Sequence, residues 1–149
     1  MKENSKTWAL WVGVLLILAA CVFAYITTKP AEANLSLIKE GARFTYHSDS
    51  PISVVNPLRY ISEGVDRLWQ KPPREVLGPQ ERVTVDDAIR AVTINAAYQL
   101  MSDDQIGSLE VGKQADLVIL DKNPRKISPE KIANIKVRET WIDGKKQVW

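Results

Sequence analysis

The stretch that decides the fold is "IGSLEVGKQADLVILDKNP", Ile106 to Pro124. Its centre, "ADLVILD", carries four apolar residues in a row between Asp116 and Asp121. A short solid apolar run of this kind reads as a strand buried on both faces. The residues before it, "GKQAD", read as a turn leading into that strand, so Lys113 and Asp116 have structural roles. Downstream, "KVRETWIDGKKQVW" (136–149) alternates apolar and polar residues around Asp143-Gly144. That dipeptide is a strong two-residue hairpin signal. The hairpin and "ADLVILD" are expected to pair into three strands.

Upstream the period changes. "NPLRYISEGVDRLW" starts with Asn56 as a cap and Pro57 at the first helical position. Leu58, Ile61, Val65 and Leu68 follow at helical spacing. "QKPPREVLGPQER" reads as a Pro- and Gly-rich loop. In "TVDDAIRAVTINAAYQLM", Thr84 and Asp87 resemble a capping box, and Val85, Ala88, Ile89 and Val92 form an apolar face. Asn95 is expected to cap a second turn carrying Ala96, Ala97 and Leu100. Leu35, Leu37 and Ile38 suggest a short helix ended by Gly41. "ARFTYH" (42–47) then reads as a strand and "SDSP" (48–51) as the turn that closes it. No internal repeat is present.

The amino terminus is of another kind. Eighteen residues, Ala9 to Ile26, carry no charge. Lys2 and Lys6 precede them, and Pro30 with Ala31 and Ala33 follows, the layout of a secretory signal with an A-x-A cleavage site. The run is longer than an ordinary signal core and approaches the roughly 20 residues that span a bilayer. Three readings stay open: cleavage after Ala33, retention of residues 9–26 as a membrane anchor, and lipidation at Cys21 in the lipoprotein-like "LAAC". Each takes the remaining chain out of the cytoplasm, to the periplasm, the extracellular space or a membrane surface. Cys21 is the sole cysteine, so neither a disulfide nor a cysteine metal cluster is available after residue 33.

The 149 residues hold 20 basic and 18 acidic side chains. With no basic tract interleaved with aromatics, nucleic acid is not an expected partner. The five tryptophans show no aromatic-cage spacing and read as packing residues. The one histidine, His47, stands two residues before Asp49 in "FTYHSDSP". On a strand, that alternation places both on one face. An aspartate at the carboxy end of a strand and ahead of a helix can bind a divalent metal or relay a proton. Serine and aspartate before proline are equally ordinary turn formers.

From about Leu35 to Trp149, nearly everything after the signal, the chain resembles the metal-dependent amidohydrolase superfamily, in the branch that includes N-substituted formamide deformylases. "FTYHSDSPISVVNPLRYISEGVDR" is similar to that family's last barrel strand and following helix. "VTVDDAIRAVTINAAYQL" is similar to its next helical segment. Gly-Ser-Leu, Gly-Lys and Ala-Asp-Leu-Val in the opening stretch resemble the lead into its small β-sandwich, and "IKVRETWIDGKKQV" its closing hairpin. The resemblance implies a mixed α/β fold: the last strand and helices of a (β/α)8 barrel with a partial β-sandwich, behind an N-terminal hydrophobic helix. Its parts would be residues 1–33 (signal or anchor), 34–108 (end of the barrel) and 109–149 (partial sandwich). It further implies hydrolysis of C–N bonds in small amide- or formamide-type substrates, with a divalent metal, zinc in particular. Asp49 matches the aspartate at the metal centre that shuttles a proton to the leaving group. Ser48, Ser50 and Pro51 match its turn, and His47 is a weaker candidate ligand.

The chain departs from the family in its ligands. A catalytic zinc takes three protein ligands, mostly His, and one histidine is present. A full barrel needs roughly 250 residues. The expected barrel is therefore incomplete, and Asp49 alone does not hold a catalytic metal. Two functions follow. One is the carboxy-terminal portion of an exported hydrolase, inactive alone, with a complementary chain or a longer product supplying the other ligands. The other is a non-catalytic secreted or membrane-anchored remnant that serves as an interaction module.

Overall fold

In the computed structural model, which describes residues 38–69 and 72–148, Asn56 opens the first helix. Helix α1 spans Pro57–Asp66. The Asn56 side chain accepts from the Arg59 N–H at 3.3 Å, satisfying one of the donors a helix start leaves over. Arg67 ends the helix in the left-handed region at φ 56°, where glycine is the usual residue. Three bonds hold it there: its N–H to Glu63 O at 3.0 Å, its carbonyl accepting from Leu77 N at 2.8 Å, and its Nε donating to Leu77 O at 3.0 Å. The Pro- and Gly-rich segment thus folds back on the helix end. Leu68 and Val76 form an antiparallel bridge, and a 3-10 turn follows at Pro79–Glu81.

Helix α2 spans Val85–Ala91. Thr84 caps it as expected, accepting from Asp87 N–H at 3.1 Å while its hydroxyl donates to the Asp87 carboxylate at 2.6 Å. The return bond of a capping box is absent from this pair because the shorter Asp side chain meets the hydroxyl instead of the backbone. Helix α3 spans Ile94–Gln99. Asn95 is not its cap: the cap position is Thr93, and Asn95 lies inside the first turn. Thr93 makes no capping bond because its hydroxyl is spent backwards on Ile89 O at 2.8 Å. Asn95 is thereby free for a tertiary bond.

The expected three strands form. β1 (Leu117–Leu120) pairs antiparallel with β2 (Val137–Ile142), and β2 with β3 (Lys145–Lys146), in the order β1-β2-β3. Asp143 and Gly144 take φ of 50° and 69°, the backbone that a two-residue turn of matching twist requires. The two aspartates that bracket β1 fasten its ends. Asp116 Oδ1 accepts from Asp143 N at 2.8 Å, and Asp121 Oδ1 from Lys136 N at 2.9 Å. Lys113 is structural too: its Nζ, nearly buried, donates to Asp103 O and to Ser108 Oγ. One expectation fails here. β1 is not buried on both faces, since Val118 and Ile119 are 54% and 44% exposed. No element among the described residues covers them or pairs with the outer edge of β1.

A second expectation fails at "ARFTYH". The segment is extended, but no strand pairs with it among the described residues. A lone strand has no ladder to satisfy its backbone. Side chains of neighbouring elements hold it instead, as described below. The short helix before it is described from Ile38 on, and Gly41 ends it at φ 91° with its N–H on Ile38 O.

Ile61, Ala88, Ile132 and Ile135 make the buried core, with Tyr46, Leu58, Val65, Ile89 and Leu120 packed around it. Ile132 belongs to a 3-10 helix, Pro129–Asn134, that lies against α1. Buried Ser62 on α1 donates to Pro129 O at 2.8 Å and ties the two together. Residues on both sides of position 108 thus share one core. A core this small stabilises little.

Candidate functional site

The site builds on the turn from Ser48 to Ser53. Asp49 sits at its tip with φ 52°. Aspartate is among the few non-glycine residues that tolerate this conformation. The Asp49 carbonyl accepts from Ile52 N at 2.8 Å, Ser48 Oγ from Ser50 N at 3.2 Å, and Ser48 O from Ser53 Oγ at 2.5 Å. The Ser50–Pro51 bond is cis. The turn's far end is fastened to α1, where Tyr60 Oη accepts from Asn56 N at 3.1 Å and lies 3.4 Å from Val54 O.

His47 and Asp49 are both exposed. The left-handed backbone at Asp49 breaks strand alternation, so the expected shared face does not carry over from the sequence. Among the described residues no hydrogen bond or ion pair engages either side chain. Beside Asp49 runs a shallow cleft of about 410 Å³ lined by Ser50 to Val55 and Arg59. Ile52, Val54 and Val55 are exposed there. Arg59, the charge in its wall, is paired to Glu63 at 2.7 Å.

What aims the turn is the segment before it. Tyr46 is half-buried against α1, its ring over Gly64 and edge-on to Phe44, with ring centroids 5.4 Å apart. Burial pushes the Tyr46 hydroxyl up to about 12, with Asp87 adding to the rise and Arg67 opposing it. On the other side, Asn95 Nδ2 donates to Phe44 O at 3.1 Å and Thr45 Oγ1 donates to Gln99 Oε1 at 2.7 Å. The Arg43 guanidinium lies 3.9 Å from the Tyr98 ring centroid, a cation–π contact. Sequence reasoning gave Asn95 only a capping role and missed Gln99 and Gly64. The signal for Gly64 was there, as a glycine inside an otherwise strong helical pattern.

These residues do not fit a complete metal site. Among the described residues no group of three His, Cys, Asp or Glu is placed to hold an ion. His47 and Asp49 offer two donors against the three protein ligands of a catalytic zinc. Ala33, Cys21 and residues 9–26 lie outside the described residues. Among those described, no helix is long and apolar enough to cross a membrane.

Known proteins place the chain in a family. The amidohydrolase family matches residues 18–147, a stretch that begins within the apolar run. The chain is 31% identical over 114 residues to an N-substituted formamide deformylase of Arthrobacter pascens, covering 73% of this chain and 20% of that protein. It is 36% identical over 110 residues to an imidazolonepropionase of a Geobacillus strain, covering 73% and 23%. It is 40% identical over 90 residues to Protein LONG AFTER FAR-RED 3 of Arabidopsis thaliana, covering 59% and 15%. The chain thus spans about a fifth of the length of these relatives. An amidohydrolase structure from Thermotoga maritima superposes with a TM-score of 0.55 at 23% identity, over 80% of this chain and 28% of that one, a likeness of fold.

Proposed function

The chain belongs to the amidohydrolase family, and from that premise we propose that it is the carboxy-terminal portion of an exported hydrolase of C–N bonds in small amide- or formamide-type molecules. Asp49 is its proton-carrying carboxylate. The observation that carries this reading is the placement of Asp49, exposed at the tip of the turn between an extended segment and α1. A carboxylate held so can take a proton from an attacking water and hand it to the leaving nitrogen, as the C–N bond breaks to give a carboxylic acid and an amine.

The family is in general metal-dependent, with zinc the expected ion. The donors of the described residues fall short of one such site, so the missing ligands come from another chain or a longer product. Alone, the 149-residue chain is inactive. Val118 and Ile119 of β1, exposed, and segment 42–47, unpaired among the described residues, support this reading, because both have room for further elements. One histidine in 149 residues also favours a second reading, a non-catalytic exported or membrane-anchored module.

The test is complementation. The full chain, purified with zinc, is expected to hold less than one ion per chain and to hydrolyse no formamide or N-acyl amine. Mixed with a chain supplying the remaining barrel strands, it is expected to gain turnover that Asp49→Asn abolishes. One-to-one zinc with turnover by the chain alone overturns the dependence on a partner. Failure of every complementing chain leaves the non-catalytic module as the surviving function.

A further inference from the structure

We propose that Asn95 is a positioning residue for Asp49: its side-chain amide serves a carbonyl that no strand pairs among the described residues, and it sets the register of the segment that carries the carboxylate. This inference rests on the proposed hydrolytic role of Asp49 for its catalytic consequence, but not for its structural content.

Segment 42–48 is extended and makes no backbone ladder among the described residues. Buried or half-buried carbonyls need a donor. Phe44 O, in the half-buried stretch, receives one from Asn95 Nδ2 at 3.1 Å, across 51 positions of sequence. One residue further, Thr45 donates to Gln99 Oε1 at 2.7 Å. Asn95 and Gln99 stand four apart on α3, so they share one helix face. That face presents a donor to the Phe44 carbonyl and an acceptor to the Thr45 hydroxyl. The pattern is directional: sliding the segment by one residue sets Asn95 against Thr45 and breaks both bonds. Asp49 lies five residues beyond Phe44, and its own turn, Ser48 to Ser53, is internally bonded. With Tyr46 packed on Gly64 in between, a slip at Phe44 carries that turn and Asp49 with it.

Asparagine at this place has no local duty. It is not the cap of α3, and a helix interior does not favour it. Gly107 packs so closely on Ala97 and Ile94 that α3 itself is fixed from behind. Asn95 therefore reaches the segment from a rigid base.

The test uses the full chain and two variants. Asn95→Asp keeps the shape but turns the donor into an acceptor facing Phe44 O. Gln99→Glu keeps an acceptor for the Thr45 hydroxyl and serves as the conservative control. In limited proteolysis with trypsin, Asn95→Asp is expected to speed cleavage after Arg43, the residue before Phe44, by about three- to tenfold, the scale of one lost hydrogen bond. Cleavage after Arg138 in β2 stays as in the parent, and so does the whole profile of Gln99→Glu. In the complemented enzyme, Asn95→Asp is expected to lower kcat at least about tenfold with little change in KM, as a misplaced catalytic group does. Unchanged cleavage after Arg43 in Asn95→Asp overturns the proposal. Faster cleavage there, with no turnover from any complemented chain, supports the positioning role and counts against the hydrolytic reading of Asp49.

Discussion

Tyr46 and Gly64 are fitted to each other: a Cβ added at Gly64 would overlap the Tyr46 hydroxyl and stand 2.8 Å from its Cζ. Glycine inside a helix costs about 1 kcal/mol against alanine, so its presence in α1 needs a reason, and the tyrosine ring supplies it. The same contact presses the segment that carries Asp49 against α1.

Gly64→Ala is therefore expected to destabilise the chain although it improves the helix. Overpacking costs about 1–3 kcal/mol, which exceeds the propensity gain. Tyr46→Phe does not rescue it, because the Cζ contact remains when the hydroxyl goes. Tyr46→Leu with Gly64→Ala is expected to recover part of the loss. Urea midpoints of the four chains at fixed slope check this.

The raised Tyr46 hydroxyl makes stability depend on alkaline pH. Its value is about 12 when folded and 10.0 in the ordinary state. The folded chain holds this proton more tightly, so below pH 10 the benefit is fully present. As pH rises from 10 towards 12 the unfolded chain releases the proton first, and stability falls. The urea midpoint is expected to drop across that window in the parent and to drop less in Tyr46→Phe. Four tyrosines contribute to tyrosinate absorbance at 295 nm, so the difference between the parent and Tyr46→Phe follows this group.

How much of this could be read beforehand depended on how local the cause was. Asn56 and Pro57 start α1, Thr84 caps α2 and Asp143-Gly144 turns the hairpin, because each is decided by neighbours a few residues away. The β-propensity of "ARFTYH" is just as local, yet a strand needs a partner that the described residues lack. Asn95 looked like a cap because its type favours caps. Thr93, two residues ahead, holds that place, and the carbonyl that Asn95 serves is 51 positions away. At the candidate site, Asp49 and its turn were legible from Ser, Asp and Pro in a row. The residues that aim the turn were not, since they come from α1 and α3.

Asp49→Asn is expected to leave stability within about 0.5 kcal/mol of the parent, as surface changes do. Asp49 is exposed, and no partner among the described residues loses a bond. Asparagine also tolerates φ 52°. Asp49→Val is expected to cost more, about 1–2 kcal/mol, since a β-branched residue resists the left-handed region. Thermal unfolding of both variants separates the carboxylate's chemistry from its conformation.

Thr84→Ala is expected to cost about 1 kcal/mol, the usual worth of a helix cap. The loss falls on α2, whose Ala88 and Ala91 are fully buried. Thr84→Ser keeps the oxygen that accepts from Asp87 N–H and is expected to stay near the parent. Chemical denaturation of both variants reads the difference.

Gly107→Ala joins two problems at one position. Gly107 takes φ +89°, which an L side chain rarely adopts, and its added Cβ would stand 2.7 Å from Ala97 Cβ and 3.0 Å from Ile94 Cα. The first of these atoms is a buried methyl and the second is backbone, so neither can swing aside as a long side chain would. The cost is expected to exceed that of Gly112→Ala, where φ is +96° but nothing lies within 4 Å. The difference between the two variants isolates packing from backbone strain, and about 1–3 kcal/mol is the range for a close clash. Because Gly107 backs the helix that carries Asn95, its alanine variant is also expected to speed tryptic cleavage after Arg43, whereas Gly112→Ala leaves that site unchanged. Paired denaturation and limited-proteolysis measurements on the two variants check both expectations.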